Sequence, residues 1–178
     1  LLESVRRYPQ RTHLVGAYAL GKAQRIICLL REQGYHEPIY IHGALKALCE
    51  LYEDHGVKLG ELRDATIKDG QGSKQDFAGK IVVGPPSNFH TKWARRFADP
   101  VTAFASGWMQ VRARARQRGV ELPLILSDHA VWDELTSTAR EVAREELWIT
   151  HGRDDALARW AELEGLKARP LSLVGYED

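Results

Sequence analysis

Two cysteines, one methionine and no apolar run near the ~20 residues that span a bilayer set the first limits on this chain of 178 residues. Cys28 and Cys49 both lie in runs that read as helices, so neither a disulfide framework nor a Cys/His zinc spacing is expected. Excess charge is scarce too. Lys and Arg number 25 against 24 Asp and Glu, a net charge of +1, so any affinity for nucleic acid must come from a local patch. Nothing at the amino terminus resembles a signal peptide, and a soluble, cytoplasmic protein without membrane association is expected. The composition, 44% hydrophobic and 28% charged, is that of a chain able to bury a core.

Strand-like and helix-like segments alternate, the pattern of a layered α/β protein with a largely parallel sheet. Strands are predicted at residues 12–17, 38–41, 80–83, 101–105, 122–126, 147–150 and 168–174. Helices are predicted at residues 20–31, 44–54, 90–97, 131–144 and 154–163. Residues 60–79 are polar and glycine-rich and read as a loop, and no repeat of solenoid period is present. A boundary is drawn near Gly119, giving segments 1–119 and 120–178.

Two histidines stand where a buried-strand pattern gives way to a helix: His129, after Leu124-Ile125-Leu126-Ser127-Asp128, and His151, after Leu147-Trp148-Ile149-Thr150. Open α/β sheets collect chemistry beyond the carboxyl ends of their strands, so two imidazoles delivered there could share a site for metal-assisted or acid–base catalysis. A lone histidine at a strand end is more often a hydrogen-bonded structural residue.

Gly16-Ala17-Tyr18-Ala19-Leu20-Gly21-Lys22 follows a predicted strand and opens a helix, as the phosphate loop G-x-x-x-x-G-K-S/T does. Ala23 lacks the hydroxyl that would hold magnesium, and Tyr18 and Leu20 crowd the loop. Such a helix start can receive a single phosphate or simply pack. Further on, Arg112, Arg114, Arg116 and Arg118 recur at a period of two. On a strand they share one face and make a phosphate track, whereas on a helix they spread around it. Lys92, Arg95 and Arg96 extend this basic character.

Three stretches carry a family likeness. They are His13-Leu14-Val15-Gly16-Ala17-Tyr18-Ala19-Leu20-Gly21-Lys22-Ala23-Gln24-Arg25, then Ser106-Gly107-Trp108-Met109 with the arginine run, then Ser127-Asp128-His129-Ala130 and Thr150-His151-Gly152. Together the chain resembles the bacterial DNA ligase-associated exonucleases, of the β-CASP branch of the metallo-β-lactamase superfamily. The resemblance implies a Rossmann-like β-CASP domain (1–119) followed by the C-terminal β/α segment of a metallo-β-lactamase αββα sandwich (120–178). It implies a zinc-dependent DNA exonuclease acting in DNA repair, with two zinc ions, DNA or RNA as substrate, and an ATP-dependent DNA ligase and a helicase as partners.

By the same resemblance His129 is the general acid that protonates the leaving oxygen, and His151 is a zinc ligand. Relatives often carry an aspartate two residues after that general acid; this chain has Val131, leaving Asp128 or Asp133 to orient the ring. Arg112, Arg114, Arg116 and Lys22 would guide the nucleic acid. The family's H-x-H-x-D-H motif and its other upstream ligands are not in these residues, and the chain begins with Leu1 rather than methionine. The expectation is therefore the carboxyl-terminal half of the enzyme, inactive alone. Two rival readings stay open: a non-catalytic nucleic-acid-binding or scaffold module, and a nucleotide-binding Rossmann-like protein.

Overall fold

The computed structural model describes residues 1–66, 74–111, 113, 116, 119–142, 146–150 and 154–171. The chain forms two compact units, Leu1–Asp128 and His129–Asp178.

The first unit is built on a parallel six-stranded sheet. Its strands are β1 (His13–Gly16), β2 (Ile39–Ile41), β3 (Leu62–Asp64), β4 (Ile81–Gly84), β5 (Val101–Ala105) and β6 (Leu122–Leu124), in the order β3-β2-β4-β1-β5-β6. Side chains alternate between faces, and the two faces meet different material. Val15, Ile39, Ile41, Ile81, Val83, Ala103 and Ala105 share one apolar cluster with α2 (Lys22–Glu32) and α3 (Gly43–Asp54). The short α1 (Leu2–Arg7) adds Leu2 and Val5 to that layer.

Leu14, Tyr40 and Val82 face the other way, onto Phe77, Trp93 and Phe97. No α-helix covers this second face among the described residues. The β4–β5 connection is instead made of short 3-10 helices, Pro86–His90 and Ala94–Arg96, where the sequence predicts one helix over residues 90–97. Between them the Thr91 hydroxyl donates to the Asn88 carbonyl at 2.8 Å and accepts from the Trp93 amide at 3.2 Å, capturing backbone groups a continuous helix would use. Edge-to-face rings then fill the layer: Tyr40 on Phe77 at 5.0 Å, Phe77 on Phe97 at 5.1 Å and Trp93 on Phe97 at 5.1 Å.

Glycine ends β1 and β4 for a steric reason. A Cβ on Gly16 would stand 2.9 Å from Phe89 Cζ and 3.2 Å from Phe104 Cδ2, and one on Gly84 would stand 2.9 Å from Trp93 Cη2. At the opposite end of the sheet Arg11 ties β1, β5 and β6 together. Its guanidinium donates to both Glu121 carboxylate oxygens, at 2.8 and 2.9 Å, and to the carbonyls of Asp99 and Pro100.

β3 and β6 each differ from the sequence reading. The sequence predicts a loop over residues 60–79, whereas Leu62–Asp64 pairs with β2 as the edge strand. Leu122–Leu124, grouped by sequence with the segment after Gly119, hydrogen-bonds in register with Ala103–Ala105 of the first sheet.

The second unit holds α4 (Trp132–Val142), β7 (Leu147–Ile149), α5 (Asp154–Leu163) and β8 (Ala168–Pro170), with β7 and β8 paired in parallel across α5. Glu134 accepts from the Val131 amide at 2.9 Å and so closes the first turn of α4. Trp132 meets Trp160 edge-to-face at 6.3 Å, and the Arg140 guanidinium lies 5.1 Å from the Trp160 ring. Only Thr136, Ile149 and Ala161 are buried among its described residues. Among the described residues, no helix is long and apolar enough to cross a membrane.

Candidate functional site

The strand order locates the place where this sheet can hold a ligand. From β1 the chain proceeds toward β2 on one side, and from β5 it proceeds to β6 on the other. Connections that diverge from adjacent strands open a crevice beyond their carboxyl ends. Three loops meet at that edge: residues 17–21 after β1, the turn Gly107–Gln110 after β5, and residues 125–128 after β6.

Lys22, the first residue of α2, is 4% exposed, and its ammonium pairs with the Asp128 carboxylate at 2.9 Å. The Tyr18 ring lies 5.2 Å from the same ammonium, while Tyr18 itself stays 54% exposed. One turn along α2, Arg25 Nη1 donates to the Ser127 carbonyl at 2.9 Å. The loop after β5 yields to this segment: a Cβ on Gly107 would lie 3.3 Å from Ser127 Cβ. Helix α2 thus holds two consecutive residues of a distant loop.

The turn before α2 is braced by hydrogen bonds at both of its ends. Gly21 takes φ 79°, which a residue with a Cβ rarely adopts. Ala17 donates to the Gly84 carbonyl at 3.0 Å, Lys22 to Leu20 at 3.0 Å and Ala23 to Tyr18 at 3.1 Å. The Gln24 side chain donates to the Ala19 carbonyl at 3.0 Å. A phosphate loop turns such amides outward and offers its lysine to the phosphates. Here the lysine faces the Asp128 carboxylate instead, which disfavours the nucleotide-binding reading.

A second polar pair lies at the ends of β2 and β4. His42 Nδ1 accepts from the Ala44 amide at 3.0 Å and caps α3, and Nε2 lies 2.7 Å from the Asn88 side-chain amide. Trp93 packs edge-on against this ring at 4.8 Å. Burial, and then the Arg96 charge, push the His42 imidazole below its ordinary pKa. His13, on β1, is buried as well. Its Nε2 meets Ser4 Oγ at 3.0 Å, its Nδ1 has no partner, and burial again lowers its pKa. Sequence reading passed over the capping role of His42; its one signal was a polar residue just ahead of an apolar helical run.

The other residues singled out by sequence divide as follows. Lys22 and Asp128 come together. His129 directly follows Asp128, opens the second unit and is exposed. Arg116 is exposed, and the backbone at Ala113 and Arg116 is helical. His151, Arg112, Arg114 and Arg118 lie outside the described residues. Among the described residues, no three His, Cys, Asp or Glu side chains form a group that could hold a metal ion. A separate groove of about 510 Å³, lined by Leu2, Ile26, Leu29, Leu124 and Ile125 among others, is apolar and contains none of these residues.

No family model matches the chain. Over 154 residues, 85% of its length, it is 26% identical to a protein named "Probable DNA ligase" from Opitutus terrae (strain DSM 11246 / JCM 15787 / PB90-1). The match spans 14% of that relative, so the chain is similar to a small part of a much longer protein carrying a DNA ligase name.

Proposed function

We propose that this chain is part of a DNA-processing enzyme, and that its contribution is to a metal-dependent phosphodiesterase of the ligase-associated exonuclease type. The observation that carries this reading is the position of His129. It directly follows a segment anchored at the carboxyl edge of a Rossmann-like sheet, in a chain similar to part of a probable DNA ligase. An imidazole there can donate its proton to the oxygen that leaves phosphorus as water adds. Asp128, the residue before His129, has its carboxylate held by Lys22.

Zinc, held by His151 and by donors beyond those described, would supply Lewis-acid chemistry at the site. The arginines 112, 114 and 116 would contact the phosphate backbone, with affinity that falls as salt rises. In such a setting the partners would be DNA and the ligase and helicase that act on it.

The test uses the natural protein carrying these residues, purified with zinc and incubated with end-labelled single- and double-stranded DNA. Cleavage by the wild type, reduced about 10²- to 10⁴-fold by His129→Ala, is the expected result. A protein that cleaves neither substrate, or whose His129→Ala variant cleaves normally, overturns the reading; in the second case a binding or scaffold role for this segment takes its place.

A further inference from the structure

We propose that Lys22 and Arg25 are positioning residues, which grip Ser127 and Asp128 from α2 and thereby set where His129 leaves the first unit. The proposal rests on the reading of His129 as proton donor. Lys22 and Arg25 are three apart on one helix, so both project from the same face. Each bonds a different group on consecutive residues: the ammonium takes the Asp128 carboxylate, and the guanidinium takes the Ser127 carbonyl. A side-chain grip and a main-chain grip on adjacent residues remove more freedom than either would alone.

Three features make this arrangement a designed one within the fold. A lysine ammonium as buried as that of Lys22 must be paired. Gly107 lacks the Cβ that would press on Ser127, so the 125–128 loop can lie close over the exit of β5. The closed turn at residues 17–21 holds the start of α2 by its own hydrogen bonds and by the Ala17–Gly84 bond to the sheet. The grip is therefore referred to β1 and β4, the centre of the sheet.

This gives Lys22 a different task from contacting nucleic acid. A phosphate contact contributes to binding, and its loss raises KM. A positioning residue acts on the geometry of proton transfer, where a displacement on the order of 1 Å costs up to about 100-fold in rate.

The experiment measures kcat and KM for single-stranded DNA cleavage by the natural protein and by Lys22→Met, Lys22→Arg, Arg25→Ala, Asp128→Asn, the double variant Lys22→Met/Asp128→Asn, and His129→Ala. Lys22→Met and Arg25→Ala should lower kcat about 10- to 100-fold with KM nearly unchanged. The double variant should be no slower than the slower single variant, because the pair acts as a unit, and Lys22→Arg should recover part of the loss.

Normal kcat in Lys22→Met or Arg25→Ala, or a rise in KM alone, overturns the proposal while the nuclease reading stands if His129→Ala remains inactive. A wild type without cleavage overturns both. Should Lys22→Met fail to fold, Arg25→Ala decides alone, because that side chain is exposed and its loss leaves the core intact.

Discussion

Asp128→Asn should destabilise the first unit more than Lys22→Met, although both delete the same ion pair. The reason is unequal burial: the Lys22 side chain is 5% exposed and that of Asp128 28%. Removing one partner of a buried pair costs about 3–5 kcal/mol, because the remaining charge is left uncompensated out of water. Asparagine at 128 leaves the more deeply buried charge alone, so about 4 kcal/mol is expected. Methionine at 22 leaves a carboxylate that water can reach and keeps most of the apolar stem, so about 1–2 kcal/mol is expected.

At about 2–4 °C per kcal/mol for a chain of this size, these figures become Tm losses of about 8–16 °C and 2–8 °C. Urea unfolding of the 178-residue chain, followed by tryptophan fluorescence, measures both variants against wild type and against the double variant. The double variant should be more stable than Asp128→Asn alone, since it no longer strands an ammonium. The reverse order of the singles, or two singles within about 0.5 kcal/mol of wild type, would refute the argument from burial.

Two further outcomes follow from the same physics. His13 and His42 both have imidazole pKa values held below the ordinary 6.5 by burial, so below that pH the unfolded chain takes up protons that the folded chain refuses. Stability is then full above about pH 6.5 and falls as pH drops toward the depressed folded values; urea midpoints at pH 7.5 and 5.0 should show the loss. His42→Asn keeps a cap acceptor and should reduce that pH dependence. Gly16→Ala places a methyl 2.9 Å from Phe89 Cζ, and a cost of about 1–3 kcal/mol should appear as an earlier urea midpoint; an unchanged midpoint would mean that the Phe89 ring moves freely.

Much of the first unit could be read from the order of residues alone. Val15, Val83 and Ala103 sit in apolar runs bounded by turn residues, and these became the central strands β1, β4 and β5. The edge strand Leu62–Asp64 escaped notice because an edge needs only one partner and tolerates the charges of Arg63 and Asp64. Residues 90–97 carry helical composition, yet the hydroxyl of Thr91 diverts the backbone there, and composition does not show such a diversion. At the candidate site, Lys22, Asp128 and His129 could each be singled out in sequence, but not the bond between the first two. Residues so distant along the chain meet only because β6 lies beside β5, a fact of topology rather than of local pattern.

A motif search keyed to glycine and lysine would file residues 16–22 among the nucleotide binders. The molecule uses the same letters for joinery: the glycine bends the backbone, and the lysine that would reach for phosphate bolts on a remote loop. Soaking with ATP should therefore leave this turn as it is, and sequence changes there will be felt two strands away, at the exit of β6.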